Sequence, residues 1–344
     1  MLSIRKEHSE RLAALIGAAG RVAVVGHTHP DGDALGSTAA LALYLQQCCG
    51  KDVACLFSDT PADNLHFLMA PDIPWLCLDK APEAALAYIA SAQLIFLLDC
   101  NAFSRTEGLQ DALATSPAPK VLIDHHLNPD TASFNLVFST PDISSASELL
   151  YWVLKSISGT TPSGIDVAIG TSLLAGMTTD TNNFANSVYP STLQMASELL
   201  ALGVDRDALL DRIYHSYREN RVRLMGYMQA HELQLVPGGG AFMILTKDLQ
   251  QRFDMQEGET EGLVNVPLSI GSVRLSVLLK EEDRHFRVSV RSKKGTSAQQ
   301  LALHHFHGGG HENAAGGKLL IGADIATAAD APAFLEKLLK EYLA

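Results

Sequence analysis

A chain of 344 residues exceeds what one hydrophobic core usually organises, so two domains are expected, each large enough to fold without disulfide or metal staples. With 47% hydrophobic and 19% charged residues the composition is globular, and no run reaches the about 18 apolar residues of a membrane-spanning helix. The net charge of −12 argues against broad affinity for long nucleic acid, so an anionic ligand must be met by local cations or by metal ions.

The opening segment, MLSIRKEHSERLAALIGAAGR, reads as a charged amphipathic helix without the long apolar core of a secretion signal, and a cytoplasmic protein is expected. Apolar runs then end on polar residues at RVAVVGH (21–27), QLIFLLD (93–99), KVLIDHH (120–126) and AIGTSLLAGMTTD (168–180), the last being the most ambiguous. Helix-period stretches lie between them at STAALALYLQQ (37–47) and SASELLYWVLKSI (145–157), which predicts parallel strands with crossover helices. In such sheets the ligand crevice lies at the carboxyl ends of the strands, the edge to which all four runs bring their polar residues.

From Asp205 to about Leu235 apolar residues recur at three and four residue spacings, predicting a long connecting helix broken once. PGGG (237–240) punctuates the chain. Alternation in VRLSVLL (273–279) and HFRVSVR (285–291) around EEDR predicts a β-hairpin, and a final amphipathic helix is expected near 330–342. Five cysteines (Cys48, Cys49, Cys55, Cys77, Cys100) form no Cys-x-x-Cys pair and read as small core residues in a reducing compartment.

In HTHPDGDALGS, His27, Asp31 and Asp33 lie on a turn that can aim them at a common point, and two aspartates one residue apart can serve different cations of a pair roughly 3.5–4 Å apart. Taken alone, the loop reads equally as an acidic surface turn with a helix N-cap at Ser37. His29, beside Pro30, reads as a packing or supporting residue. Asp99 closes its apolar run, where an isolated acid is often only the first loop residue. KVLIDHH delivers Asp124, His125 and His126 consecutively; adjacent side chains diverge, so one histidine can bind metal while its neighbour meets substrate, and Asp124 can fix a histidine tautomer. Asp180 stands between Thr179 and Thr181, and this mixture of carboxylates and imidazoles suits Mn²⁺ better than an all-oxygen Mg²⁺ site.

Further on, FHGGGHENAAGG (306–317) reads as a flexible loop or as an anion nest built from Gly308 to Gly310 with His311 beside it. Residues 271–318 hold eight Lys or Arg against four acids, a local excess of positive charge on an acidic chain. Strand alternation sends Arg287, Ser289 and Arg291 to one face, and Arg291, followed by Ser292, is the phosphate candidate.

These motifs, in this order, resemble the DHH family of phosphoesterases, named for a triplet that here is Asp124-His125-His126; GGGHENAAGG resembles the signature of its type 1 associated C-terminal domain. Within that family the chain resembles the stand-alone NrnA-like oligoribonucleases and 3′-phosphoadenosine 5′-phosphate phosphatases. The resemblance implies an α/β fold: a doubly wound, mainly parallel DHH catalytic domain over 1–204, a helical linker over 205–237, and a smaller α/β substrate-binding domain with a mixed sheet over 238–344. It implies two Mn²⁺ ions, with Mg²⁺ or Co²⁺ as substitutes, one on His27 and Asp31, the other on Asp33, His125 and Asp180, with Asp99 bridging both. His126 would face the substrate phosphate, and Arg291, Ser292, Gly309, Gly310 and His311 would bind substrate. Asn182 departs from the glycine that the family often carries after its Asp-Thr pair, which bears on the loop's shape and nucleotide preference.

The implied reaction is hydrolysis of short oligoribonucleotides to mononucleotides, and of the bisphosphorylated adenosine nucleotide to AMP, by water activated between two metals. Cyclic di-AMP or its linear product pApA is the alternative substrate. A pyrophosphatase, faintly echoed by RSKK (291–294), and a nonenzymatic nucleotide sensor stand behind it. Short RNA or small phosphorylated nucleotides are the expected partners, with no long duplex DNA and no membrane, and a homodimer is the general expectation for such enzymes.

Overall fold

In the computed structural model, which describes residues 4–158, 164–256 and 258–344, the apolar runs of the first half pair side by side in one parallel sheet. The chain divides into two units, Met1–Ser216 and Tyr217–Ala344. The first unit's strands are β1 (Arg21–Val25), β2 (Asp52–Phe57), β3 (Trp75–Cys77), β4 (Leu94–Leu98), β5 (Lys120–Asp124) and β6 (Leu136–Ser139), in the order β3-β2-β1-β4-β5-β6. Every pairing is parallel. The order reverses between β1 and β4, which makes the crevice beyond their carboxyl ends the topological switch point of the sheet.

Both faces of this sheet are covered, which explains why its strands read as continuous apolar runs. Its helices are α1 (Lys6–Ala18), α2 (Gly32–Gln47), α3 (Pro82–Ser91), α4 (Gln110–Thr115), α5 (Ala146–Ser158), α6 (Val167–Asp180), α7 (Pro190–Leu202) and α8 (Arg206–Tyr214). Val22 and Val24 of β1 pack in the layer of Leu12, Leu41, Leu149, Leu173 and Leu199, from α1, α2, α5, α6 and α7. Ala23 and Val25 pack in the opposite layer with Ile89 of α3 and Leu113 of α4. The alternation is the two-residue period of a strand.

Two expectations are corrected here. The run at 168–180 is α6, not a strand: Asp166 caps it by accepting the Ile169 N–H at 2.9 Å, and residues from Ile169 to Thr178 are buried on nearly every side, which erases the helical period from the sequence. Helix α2 begins at Gly32, with Asp31 and not Ser37 at its N-cap; the Asp31 carboxylate accepts the N–H groups of Asp33 and Ala34, each at 3.0 Å. Gly36 lets α2 and α6 touch, since a Cβ there would stand 2.5 Å from the Ser172 carbonyl oxygen.

The expected helix over 205–237 resolves into α8 in the first unit, α9 (Glu219–Tyr227) in the second, one π-helical turn over Met228–Glu232, and a strand, β7 (Gln234–Val236). The second unit continues with β8 (Gly240–Leu245), α10 (Lys247–Arg252), β9 (Leu275–Glu281), β10 (His285–Ser292), α11 (Ala298–His305), β11 (Gly309–His311), β12 (Ala314–Leu320) and α12 (Ala331–Tyr342). Its sheet runs β11-β12-β10-β9-β8-β7, with β8 and β9 parallel and the other pairs antiparallel, and is therefore mixed. The β9–β10 hairpin has the expected alternation, with Phe286, Val288 and Val290 buried and Arg287, Ser289 and Arg291 half-buried on the other face. Among the described residues no helix is long and apolar enough to cross a membrane.

Candidate metal centre

Three strand ends supply the site. Just past β1, His27 is buried, and its Nδ1–H donates to the Thr28 carbonyl oxygen at 2.7 Å, because a carbonyl can only accept. Nε2 is thereby left as the lone-pair nitrogen, 3.4 Å from Asp99 Oδ2 and 3.8 Å from Asp31 Oδ1. Beyond β4, Asp99 takes a left-handed φ of 53°, which turns its carboxylate back into the crevice. At the end of β5, His125 Nε2 lies 3.3 Å from Asp99 Oδ1, 3.6 Å from Asp180 Oδ2 and 3.9 Å from Asp33 Oδ2. Asp180 arrives on the last residue of α6, a helix end where a strand end was expected.

Two sets of potential ligands result. His27, Asp31 and Asp99 bring donor atoms within 4.8 Å of one another, as do Asp33, His125 and Asp180. Asp99 stands between them, with Oδ2 toward His27 and Oδ1 toward His125. Asp33 is held from behind by the N-terminus of α5: Ala146 N–H donates to Oδ2 at 2.6 Å and Ser147 N–H to Oδ1 at 2.9 Å.

The charges in this pocket favour a bound cation. Burial drives the Asp33 carboxyl well above its ordinary range, and the charges of Asp99 and Asp180 drive it further. Burial opposes a charged His125, but Asp180, Asp99 and Asp33 overcome it and lift that imidazole to about 10. At His27 the same contest, burial against Asp99 and Asp31, also ends in a raised value. Burial works against an ionised Asp99 too, yet the His125 and His27 imidazoles beside it hold it well below the usual carboxylate range. Asp99 Oδ1 is nevertheless a buried oxygen without a hydrogen-bond partner among the described residues. An orphaned carboxylate oxygen amid imidazole nitrogens and further carboxylates fits a divalent cation.

His126 is oriented differently from its neighbour. Its Nδ1 meets Asp124 Oδ1 at 2.8 Å and its backbone N–H donates to Asp124 Oδ2 at 3.1 Å. Arg105 Nη1 lies 2.7 Å from Nε2 and can only donate, so the ring proton belongs on Nδ1. Burial, with the Arg105 charge opposing Asp124, lowers the His126 pKa and keeps the ring neutral. His29 lies outside both ligand sets: its φ is 50°, and its N–H donates to Asp59 Oδ2 at 2.8 Å.

In the second unit, β-pairing puts Arg291, Ala314 and His311 in one row across β10, β12 and β11, with Ser289, Gly316 and Gly309 in the next. Directly paired residues share a face, so Arg291 and His311 flank a trough floored by small residues. Ser292 is buried, and its hydroxyl donates to the Thr296 carbonyl at 2.6 Å and accepts from Asn313 Nδ2 at 2.9 Å. Gly308 and Gly310 serve the hairpin: a Cβ on Gly310 would stand 2.6 Å from the Ala314 carbonyl oxygen, and the Gly308 N–H donates to the Ala302 carbonyl. Gly309 has open space where a Cβ would be.

Compared with known proteins, residues 21–177 match the DHH family, N-terminal domain, and residues 242–342 match the DHHA1 domain. The bifunctional oligoribonuclease and PAP phosphatase NrnA of Thermus thermophilus is 30% identical over 306 residues, which cover 87% of this chain and 84% of that one. The chain belongs to the DHH family. The corresponding NrnA of Bacillus subtilis is 28% identical over 299 residues, 85% of this chain and 87% of its own. The crystal structure of an exopolyphosphatase-related protein from Bacteroides fragilis superposes with a TM-score of 0.90 at 33% identity, over 100% of this chain and 98% of that one.

For the DHH domain, the departure at Asn182 has a plain structural reading. Asn182, Asn183 and Phe184 have φ of 47°, 56° and 66°, so the chain after Asp180 makes a left-handed turn of the kind glycine favours and asparagine tolerates. The sequence reading missed two contributors to the site. Arg105 sits alone in a short 3₁₀ segment, Phe103–Leu109, and carries no motif signal. The α5 N-terminus did carry one, the capping-box pattern Ser145-x-x-Glu148, in which Ser145 Oγ accepts the Glu148 N–H at 3.0 Å.

Proposed function

We propose that this chain is a metal-dependent phosphoesterase that hydrolyses short oligoribonucleotides to mononucleotides and releases the 3′-phosphate of 3′-phosphoadenosine 5′-phosphate. The observation that carries it is Asp99, whose two oxygens turn to separate ligand sets. The names of the NrnA relatives supply the substrate class. His27 and Asp31 would hold one ion and Asp33, His125 and Asp180 the other, with Asp99 shared. Two Mn²⁺ ions fit this mixture of imidazole and carboxylate, with Mg²⁺ or Co²⁺ as substitutes. Bound there, such ions supply Lewis-acid neutralisation of phosphoryl charge and a water acidic enough to ionise near neutral pH.

The protein's own groups do the positioning. The Thr28 carbonyl fixes the His27 tautomer, and the α5 N-terminus fixes the rotamer of Asp33. Asp124 orients His126 on the substrate side of the centre. Arg291, Ser292, Gly309, Gly310 and His311 of the second unit are proposed to bind the nucleotide, Ser292 by holding the Asn313 turn beside Arg291. A cytoplasmic site of action and a homodimer belong to the same proposal, and the five free thiols fit a reducing compartment.

The test is a Mn²⁺-dependent assay across di- to pentaribonucleotides, 3′-phosphoadenosine 5′-phosphate, pApA, cyclic di-AMP and pyrophosphate. Release of mononucleotides from the short RNAs is expected. Preference for pyrophosphate over every nucleotide would overturn the proposal.

A further inference from the structure

A guanidinium, Arg105, stands at the first unit's metal centre, and so far it has been given a contact with His126 but none with substrate. Arg105 Nη1 lies 2.7 Å from His126 Nε2, while His126 Nδ1 is held at 2.8 Å by Asp124, itself fully buried. The chain Asp124–His126–Arg105 thus has a fixed direction: carboxylate accepts, imidazole relays, guanidinium donates. Its base is rigid as well, because the Arg105 carbonyl accepts the Thr28 N–H at 2.9 Å, in the loop that carries His27 and Asp31.

Two features single the residue out. Among the described residues its side-chain hydrogen bond goes to an imidazole and not to a carboxylate, although the chain carries an excess of acids. A half-buried arginine normally takes a carboxylate or phosphate across its planar fork. Second, the charges of the site leave a phosphate uncompensated. Asp31, Asp33, Asp99 and Asp180 balance two divalent cations between them, and Arg105 is the cation whose guanidinium lies at His126 Nε2, where it can meet the charge of an incoming phosphoryl group.

We propose that Arg105 is the first unit's phosphate-binding cation, donating to a nonbridging phosphoryl oxygen through guanidinium N–H groups, while His126 and Asp124 act as positioning residues that aim it. With its proton on Nδ1, His126 presents an acceptor at Nε2, so Arg105 provides the N–H that a phosphoryl oxygen meets there. This inference rests on the phosphoesterase reading and names the residue that neutralises its substrate.

The test compares the full chain with Arg105→Gln and Arg105→Lys, using AMP as the binding probe and pApA as substrate. Mn²⁺ affinity by titration calorimetry is expected to stay within twofold in both variants. AMP affinity of the Mn²⁺-loaded protein is expected to fall at least about 20-fold in Arg105→Gln, as for the loss of a charged hydrogen bond, and less in Arg105→Lys. On pApA, kcat should fall by about 100-fold or more in Arg105→Gln, with partial rescue by added guanidinium. AMP affinity within threefold of wild type in Arg105→Gln would overturn the inference, and so would a loss of Mn²⁺ affinity that parallels the loss of AMP. If the wild type binds AMP through Arg105 yet hydrolyses no phosphate ester, the functional proposal fails while this one stands; if both proteins hydrolyse pApA equally, the reverse holds.

Discussion

Gly176 of α6 faces Asp33 of α2 so closely that a Cβ on Gly176 would stand 2.7 Å from Asp33 Oδ1, and closer still to Ser147 Oγ. The absent side chain is what lets a helix, a helix N-terminus and a buried carboxylate meet at one point. Gly176→Ala should therefore displace Asp33, weakening Mn²⁺ binding at least about tenfold and costing about 1–3 kcal/mol of stability from overpacking. Gly17→Ala in α1 is the control: nothing lies within 4 Å of its Cβ position, and a gain of about 0.5–1 kcal/mol is expected. Calorimetric Mn²⁺ titration and thermal melting of both variants check the pair. Wild-type Mn²⁺ affinity in Gly176→Ala would show that Asp33 does not depend on this contact.

Removing metal should be felt in stability as well as in turnover. Crowding Asp31, Asp33, Asp99 and Asp180 around two imidazoles favours any state that binds a cation. At a free Mn²⁺ level about 100 times Kd the linkage amounts to about 2.7 kcal/mol, or roughly 5–10 °C in Tm for a unit of this size. Chelation is expected to lower Tm by that amount in the wild type. In Asp99→Ala the Mn²⁺-dependent shift should largely vanish, and activity should drop more than about 100-fold. Near wild-type turnover of Asp99→Ala in Mn²⁺ would remove Asp99 from the shared position.

The strand ends were legible because burial on both faces writes a strand as an unbroken apolar run, and a polar residue closing such a run has few structural uses. His27, Asp99, Asp124, His125 and His126 were all visible in that way. The same logic misled at 168–180, where α6, buried nearly all round, reads much as a buried strand does. Asp180 still reaches the centre because the helix end, like a strand end, opens on the crevice. Arg105 was invisible for the opposite reason: its neighbours lack periodicity, and its position follows from Thr28 tying the 3₁₀ segment to the β1 loop. For the glycines 308–310, composition suggested an anion nest, whereas much of their requirement comes from the close β11–β12 pairing, which only register reveals.

The left-handed turn after Asp180 gives a prediction of sign. Asn182 has a φ of 47° and is exposed, so Asn182→Gly keeps the backbone it needs and should retain activity within about twofold with little change in Tm. Asn182→Val forces a β-branched residue into the same conformation at a cost of roughly 1–2 kcal/mol. It should also shift Asp180 two residues away, seen as weaker Mn²⁺ binding. Equal melting and Mn²⁺ affinity for the glycine and valine variants would mean that the turn does not control the ligand.

Away from the centre, Glu198 of α7 ties α7 to α5 through Lys155 and Tyr151, and accepts from Gln194 Nε2 at 2.9 Å. Burial raises its pKa, but hydrogen bonds from Lys155, Tyr151 and Gln194 outweigh that and leave it below the ordinary glutamate value. A depressed folded-state pKa stabilises the protein above the unfolded-state value, and the contribution is lost as pH falls through the folded-state value. The site is partly solvated, so Glu198→Gln should cost only about 1 kcal/mol at pH 7, or about 2–4 °C in Tm. The gap between variant and wild type should hold at neutral pH and shrink as pH falls below the ordinary glutamate value of about 4.3, where the wild-type carboxylate takes up its proton. Melting curves of both proteins between pH 3.5 and 7 test this, and a gap that widens on acidification would contradict the assignment.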